Sequence, residues 1–296
     1  MVTNILMIIF TPIIAFFIGV IFVGLKRKII ARIQRRYGPP VVQPLLDIIK
    51  LLAKKENISH GVMFDLGPVI LLGAVIMTVQ FLPTPNAPLL SNYGDLIALI
   101  YISVVGALGM ALGAGEASNP NASIGVAKAL SLMFSYELPF AIVVATIILR
   151  YQSANINIII HGQSYLHWGL FFLPITTIAG FISIYGAMGE HPFDVAVAPQ
   201  EIATGPMVEY GGKHLGFLMI DHMMHTYIEL ALFVNLFMGG ASNWFFFIVK
   251  MFGVYFVMTV IETVMPRFKM ENAIKYFMRW PTILALIGLL TVYIGG

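Results

Sequence analysis

Residues 5–24 read ILMIIFTPIIAFFIGVIFVG, twenty positions without a charged side chain. Wound as an α-helix, such a stretch covers ~30 Å, the thickness of a bilayer's hydrocarbon layer. It lacks the alternation of apolar and polar residues that a membrane barrel strand carries. Only helices and closed barrels satisfy their backbone polar groups in lipid, so these twenty residues predict a spanning helix. No basic residue precedes the stretch and a dense basic run follows it, the reverse of a cleavable leader, so the span is expected to be retained.

Comparable runs recur along the chain, at about Leu66–Phe81, Leu96–Gly113, Val126–Leu149, Trp168–Ala187, Leu215–Met238, Trp244–Val264 and Pro281–Ile294. The count is about eight. The expected fold is an all-α polytopic membrane protein, with residues 1–296 forming a single integral membrane domain. Composition agrees: 59% of the 296 residues are hydrophobic, 10% are charged, and mean hydropathy is +0.89. A soluble domain has roughly 25% charged residues.

Cysteine is absent, which excludes Cys-ligated iron–sulfur clusters, thiol catalysis and disulfides in this chain. No nucleophile elbow, phosphate loop or dinucleotide fingerprint is present. The run GALGMALGAG, residues 106–115, suits close helix packing.

Two polar inserts interrupt the apolar pattern, at 25–61 and 189–212. The first is basic. Gly38, Pro39 and Pro40 break it, and Leu45, Ile48, Ile49 and Leu52 then follow helical spacing with Asp47, Lys50 and Lys54 opposite. This predicts an amphipathic helix, either lying at the membrane interface or packed on a partner. The second insert, GEHPFDVAVAPQEIATGPMVEYGG, carries Glu190, Asp194, Glu201 and Glu209 with no Lys or Arg. It reads as a solvated loop or as a funnel or docking surface at the membrane boundary.

With eight spans, the Lys and Arg residues fall on the side opposite the termini, Arg150 and Lys250 excepted. The positive-inside rule then places both termini outside the cell membrane and both inserts in the cytoplasm. One basic and one acidic insert on the same side suit a soluble partner arm, with Arg35, Arg36 and Asp194 as docking residues.

Four acids, Glu137, Asp221, Glu229 and Glu262, lie within apolar spans. At about 3 kcal/mol for each charge at the bilayer centre, together they would cost about 12 kcal/mol, as much as a domain's stability. They are therefore neutral, paired or in contact with water. Pairing with Lys128 or Lys250 is one reading; an ion or proton path is the other. Asp221, His225 and Glu229 step by four and form one helical stripe, a row suited to proton relay. His222 and His225 form an HxxH pair that lacks a third metal ligand. Pro139, two residues after Glu137, frees a helix carbonyl.

Several stretches resemble the complex I H-subunit family. RIQRRYGPPVVQPLLDIIKLLAKKE is similar to the family's segment after its first span, LSLMFSYELPF to its fourth span, PFDVAVAPQEIATGPMVEYGGKHLGF to its cytoplasmic loop, and ETVMPRFKMENAIKYF to its stretch between the last two spans. The resemblance covers nearly the whole chain, in order. It implies a membrane subunit that joins a peripheral redox arm to antiporter-like pumping subunits, in quinone-reducing complex I or in ferredoxin-linked membrane-bound hydrogenases and sulfane sulfur reductases. It also implies that Asp47, Glu137, Glu201 and Glu209 belong to an acidic chain carrying protons or coupling.

Four positions depart from that pattern. Lys26 stands where complex I has Glu, Val197 and Pro199 where its loop has acids, and Glu262 where it has Arg. These departures point to the hydrogenase-type branch and away from a quinone site, with Asp221 and Glu116 partly replacing the missing acids. The expectation is thus a membrane anchor and coupling subunit of a hydrogenase- or sulfane-sulfur-reductase-type complex. Its path residues would be Asp47, Glu137, Glu201, Glu209, Asp221, His225, Glu229 and Glu262. Catalysis, iron–sulfur clusters and any NiFe centre would reside in partner subunits, with no cofactor, metal or nucleic acid bound here. The alternatives are a quinone-reducing H-type subunit, a stand-alone cation/proton antiporter, and a purely structural anchor.

Overall fold

The structure, a computed structural model, describes residues 2–55, 59–85, 90, 93–163 and 168–295. Residues 56–58 of the basic insert, and 86–89, 91–92 and 164–167 of two expected connections, lie outside the described residues. The described chain is helical: α1 (Val2–Ile33), α2 (Gln43–Leu52), α3 (Val62–Phe81), α4 (Leu96–Glu116), α5 (Pro120–Tyr151), α6 (Ile156–His161), α7 (Gly169–Phe172), α8 (Pro174–Ala187), α9 (Pro199–Ile202), α10 (Gly212–Phe237), α11 (Trp244–Val264) and α12 (Met270–Gly295). Among the described residues, seven of these are long and apolar enough to cross a membrane. The fifth expected span, Trp168–Ala187, is divided at Leu173 into α7 and the 14-residue α8. Pro174 has no N–H to continue α7, and its fixed φ suits the first turn of α8.

Two helices outrun their apolar cores. α1 continues through Lys26–Arg32, good helix formers whose charges suit a helix C-terminus, and stops before Arg35 and Gly38, both at positive φ. α12 starts eleven residues before Pro281. Ala273 and Phe277 bury one face of that added length, while Lys275 and Glu271 face outward.

α10 is the central helix. Tyr227, Leu230, Ala231, Val234 and Phe237 on it are fully buried, and it packs against α1, α2, α3, α8 and α11. Outer helices instead expose apolar stripes, such as Phe10, Ile14, Phe17 and Ile21 on α1. α3 and α4 approach closely because their contact is glycine. A Cβ on Gly67 would stand 2.8 Å from the carbonyl oxygen of Gly109 and the Cα of Gly113. α2 is the expected amphipathic helix. Ile48 is buried, with Leu45 and Leu52 packed against Val20, Val23 and Met223 of α1 and α10.

Prolines inside helices free carbonyls for side-chain donors. Each removes the bond to the carbonyl four residues back. Pro12 frees the Ile8 carbonyl, which accepts from Gln80 Nε2 of α3. Pro68 frees that of Phe64, which accepts from the Tyr210 hydroxyl at 3.2 Å. Pro281 frees that of Phe277, filled by Thr282 Oγ1 at 2.9 Å.

Contacts group the helix ends into two sets. At one end Glu116 accepts from the Phe64 backbone N–H, 2.6 Å, and the connection at 188–211 covers the bundle. At the other, Leu96 N–H donates to Ala154 and Asn235 Nδ2 to the Pro83 carbonyl.

Candidate functional site: a chamber capped by an acidic loop

The 188–211 connection is fastened by its acids. Glu190 pairs with Lys26 of α1, Asp194 with Arg267 between α11 and α12, and Glu201 with Lys128 of α5 at 3.2 Å. Glu209 accepts from Asn119 Nδ2 at 2.6 Å and lies 3.5 Å from His60. The loop contains no Lys or Arg, so each acid reaches to a neighbouring element. Arg267 makes a fork: Nε donates to Asp194 Oδ1 at 2.8 Å, Nη2 to Oδ2, and Nη1 to Gln200 at 2.8 Å. The hydrogen bonds to Asp194 hold the guanidinium's pKa above its ordinary value.

Beneath the loop lies a cavity of about 330 Å³, lined by α3, α4, α5, α8 and α10 and, at the loop end, by Ala196, Val197, Pro206 and Met207. At ~30 Å³ each it has room for roughly ten waters. Most of its wall is apolar, but Glu137 of α5 and Asp221, His222, His225 and Glu229 of α10 all line it. The i, i+4 stripe on α10 therefore faces one chamber with Glu137 across from it. His225 Nε2 lies 3.5 Å from Glu229 Oε1 and 3.3 Å from the Ala187 carbonyl. Val197, where the family resemblance leads one to expect an acid, makes the loop end of the cavity apolar.

A second polar group lies against α1 and α11. The Lys26 ammonium sits between two carboxylates, Glu190 and, at 3.3 Å, Glu262. All three side chains are largely buried. Burial raises the Glu190 pKa, but Lys26, with His222 and Arg27, outweighs it and holds the carboxyl below its ordinary range. His222 Nε2 stands 3.8 Å from Glu190 Oε1, so Glu190 spans the distance between Lys26 and a residue of the chamber wall.

Of the eight expected path residues, the chamber gathers four: Glu137, Asp221, His225 and Glu229. Glu201 and Glu209 lie above it in the loop contacts described. Glu262 joins Lys26. Asp47 is apart from the others, accepting from Gln43 at 2.8 Å and lying 3.8 Å from Arg27. Arg35 and Arg36 are exposed, whereas Asp194, grouped with them from sequence, is engaged by Arg267 inside the chain.

The structure corrects the proposed lysine partners. Lys128 pairs with Glu201 of the loop. Lys250 donates to the Met238 carbonyl at 2.8 Å and to that of Gly240, and lies 4.4 Å from the centre of the Trp168 ring. Both cations are drawn to helix ends and the loop, and neither neutralises an intramembrane acid. Sequence reasoning also missed Glu190 and His222 as site residues. The only signals were Glu190's place in the acidic loop and His222's place beside Asp221.

A family model described as NADH dehydrogenase matches residues 4–293 of the chain. The H subunit of the F(420)H(2) dehydrogenase of Methanosarcina barkeri (strain Fusaro / DSM 804) is 30% identical over 319 aligned positions, covering 94% of this chain and 91% of the relative. The corresponding H subunit of the NADH-quinone oxidoreductase of Geobacillus sp. (strain WCH70) is 29% identical, over 91% of this chain and 86% of the relative. Among solved structures, a chain from the membrane-bound sulfane sulfur reductase, an archaeal respiratory membrane complex, superposes with a TM-score of 0.92. It is 36% identical and covers 98% of this chain and 99% of that one.

Proposed function

From the premise that this chain belongs to the NADH dehydrogenase family, we propose that it is the H-type membrane subunit of a respiratory oxidoreductase complex of the sulfane sulfur reductase or hydrogenase type. In this role it anchors a peripheral redox arm and couples electron transfer there to ion movement in antiporter-like neighbours. Both termini lie outside the cell membrane, and the basic end of the bundle, with Arg35 and Arg36, meets the arm. Iron–sulfur clusters, and NiFe in a hydrogenase, belong to the partners.

One observation carries the coupling role: Glu137, Asp221, His225 and Glu229 share a single cavity at membrane depth. Intramembrane acids that line a cavity mark ion pathways. A carboxylate or imidazole exchanges a proton with a neighbour or with water, and four such groups around room for about ten waters form a relay. The loop closes one end of that chamber, and its four anchors hold it to α1, α5 and the α2–α3 and α11–α12 connections. A change in the arm that moves the loop therefore acts on the chamber mouth.

The test is Glu137→Gln, with Glu229→Gln beside it, in the purified complex in sealed vesicles. Partner redox chemistry with an artificial donor should persist, while gradient formation per electron pair is lost. Assembled variants that pump at the original ratio would refute the path. Extraction of the complex should yield no stoichiometric quinone; a stoichiometric quinone would move the chain to the quinone-reducing branch.

A further inference from the structure

The Lys26–Glu190–Glu262 group is not explained by holding the fold together. One cation facing two buried carboxylates leaves one negative charge unbalanced, and burial makes an unbalanced charge expensive. A single proton shared by the two carboxylates removes the excess. The group then has two arrangements of equal net charge. Lys26 pairs with ionised Glu190 while Glu262 is protonated, or it pairs with ionised Glu262 while Glu190 is protonated.

Other groups already stand where the second arrangement needs them. Glu190 Oε1 is buried and has no hydrogen-bond partner among the described residues, and it points toward His222 of the chamber wall at 3.8 Å. The Tyr255 hydroxyl of α11 is likewise buried without a partner, and it feels the charges of both Glu190 and Glu262. His222 of α10 and Arg27 of α1 also act on Glu190, His191 of the loop acts on Glu262, and both carboxylates act on Tyr185 of α8. Glu190 belongs to the loop, Glu262 to α11 and Lys26 to α1, so the two arrangements differ in which element the α1 cation grips.

Resting on the coupling role proposed above, we propose that Lys26 is a switching counter-ion. Its ammonium shifts between Glu262 and Glu190 as one proton passes between them, with His222 linking Glu190 to the chamber. When Lys26 moves toward Glu262, Glu262 gives up its proton and Glu190 takes one up. The ammonium keeps its own protons and no charge is left over. The α1 cation holds the Glu190 end of the loop in one arrangement and α11 in the other, which ties that end of the loop to proton occupancy beside the chamber.

The experiment compares the complete complex in sealed vesicles carrying Lys26→Met/Glu190→Gln/Glu262→Gln with one carrying Glu137→Gln. The triple variant replaces all three charges by neutral groups of similar size, so no unpaired charge hinders assembly. A purely structural group would allow it to assemble and pump normally. The switch predicts assembly with loss of gradient formation per electron pair. It also predicts that the redox-induced infrared difference spectrum loses a carboxylic acid band in both Glu190→Gln and Glu262→Gln. Normal pumping by the triple variant with loss in Glu137→Gln would overturn the switch and leave the chamber path standing. Normal pumping in both would overturn the path and the switch together. A triple variant that does not assemble is resolved by the infrared spectra of Glu190→Gln and Glu262→Gln, in which an unchanged carboxylic acid band refutes the switch.

Discussion

Replacing Arg267 by Ala should free the acidic loop from its widest anchor. The guanidinium gives two hydrogen bonds to Asp194 and one to Gln200, and the Arg267 and Asp194 side chains are each 22% exposed. Hydrogen bonds to charged groups contribute about 1.5–3 kcal/mol, and exposed ion pairs about 0.2–1 kcal/mol. Two hydrogen bonds to one carboxylate at this exposure belong at the lower end of the first range, at about 2 kcal/mol. After the change Asp194 keeps His191 Nδ1 at 3.5 Å, which limits the loss. A 2 kcal/mol loss shifts a local opening equilibrium by about 30-fold. The assay is hydrogen exchange in the assembled complex, read at the Ala198 amide, which donates to the Asp194 carbonyl, and at the Phe268 amide, which donates to that of Pro192. Both should exchange about 30-fold faster. Arg267→Lys, a single point charge without the fork, should lie between Ala and the parent. Unchanged exchange at both amides in Arg267→Ala would refute the claim that this pair fastens the loop.

Three more outcomes follow from the same structure. Gln80→Leu leaves the Ile8 carbonyl without its donor and should cost about 1–3 kcal/mol in thermal or denaturant unfolding, with Pro12→Ala restoring much of it because the helix bond can re-form. Lys250→Met removes donors to two carbonyls past the end of α10 and a contact on Trp168, about 2 kcal/mol in all, and should lower the thermal midpoint without changing gradient formation per electron pair. Glu190, whose folded pKa is depressed, stabilises the fold above the ordinary glutamate pKa of about 4.3, and that contribution is lost as pH falls through the lower folded value; Glu190→Gln should flatten the acid limb of a stability-against-pH curve.

Much of the fold was legible because membrane helices announce themselves by length and apolarity, and α2 by its i, i+3, i+4, i+7 spacing after Gly38–Pro40. The stripe Asp221–His225–Glu229 was legible for the same reason: helical periodicity places it on one face without knowledge of any neighbour. What periodicity does not carry is who stands opposite. Lys26 reads as the start of a basic run and Glu190 as one acid of a loop, 164 positions apart by their numbering, and only the tertiary fold makes them a pair. Lys128 and Lys250 failed as partners for buried acids for the same reason, since carbonyls at a helix end and a loop acid compete for them. The break at Leu173 was marked by Pro174, but hydropathy averaged over the run hides one proline.

The prolines also bear on how the chain reaches its membrane. A nascent α1 enters the bilayer with the Ile8 carbonyl lacking its helical donor, and its substitute, Gln80, is synthesised 72 residues later. The Phe64 carbonyl of α3 waits for Tyr210, a further 146 residues on. In hydrocarbon each open carbonyl costs several kcal/mol. α1 and α3 are therefore incomplete when they first form, and other donors serve these carbonyls until Gln80 and Tyr210 do. The two carbonyls gain their permanent donors only once α3 and the loop before α10 have been made.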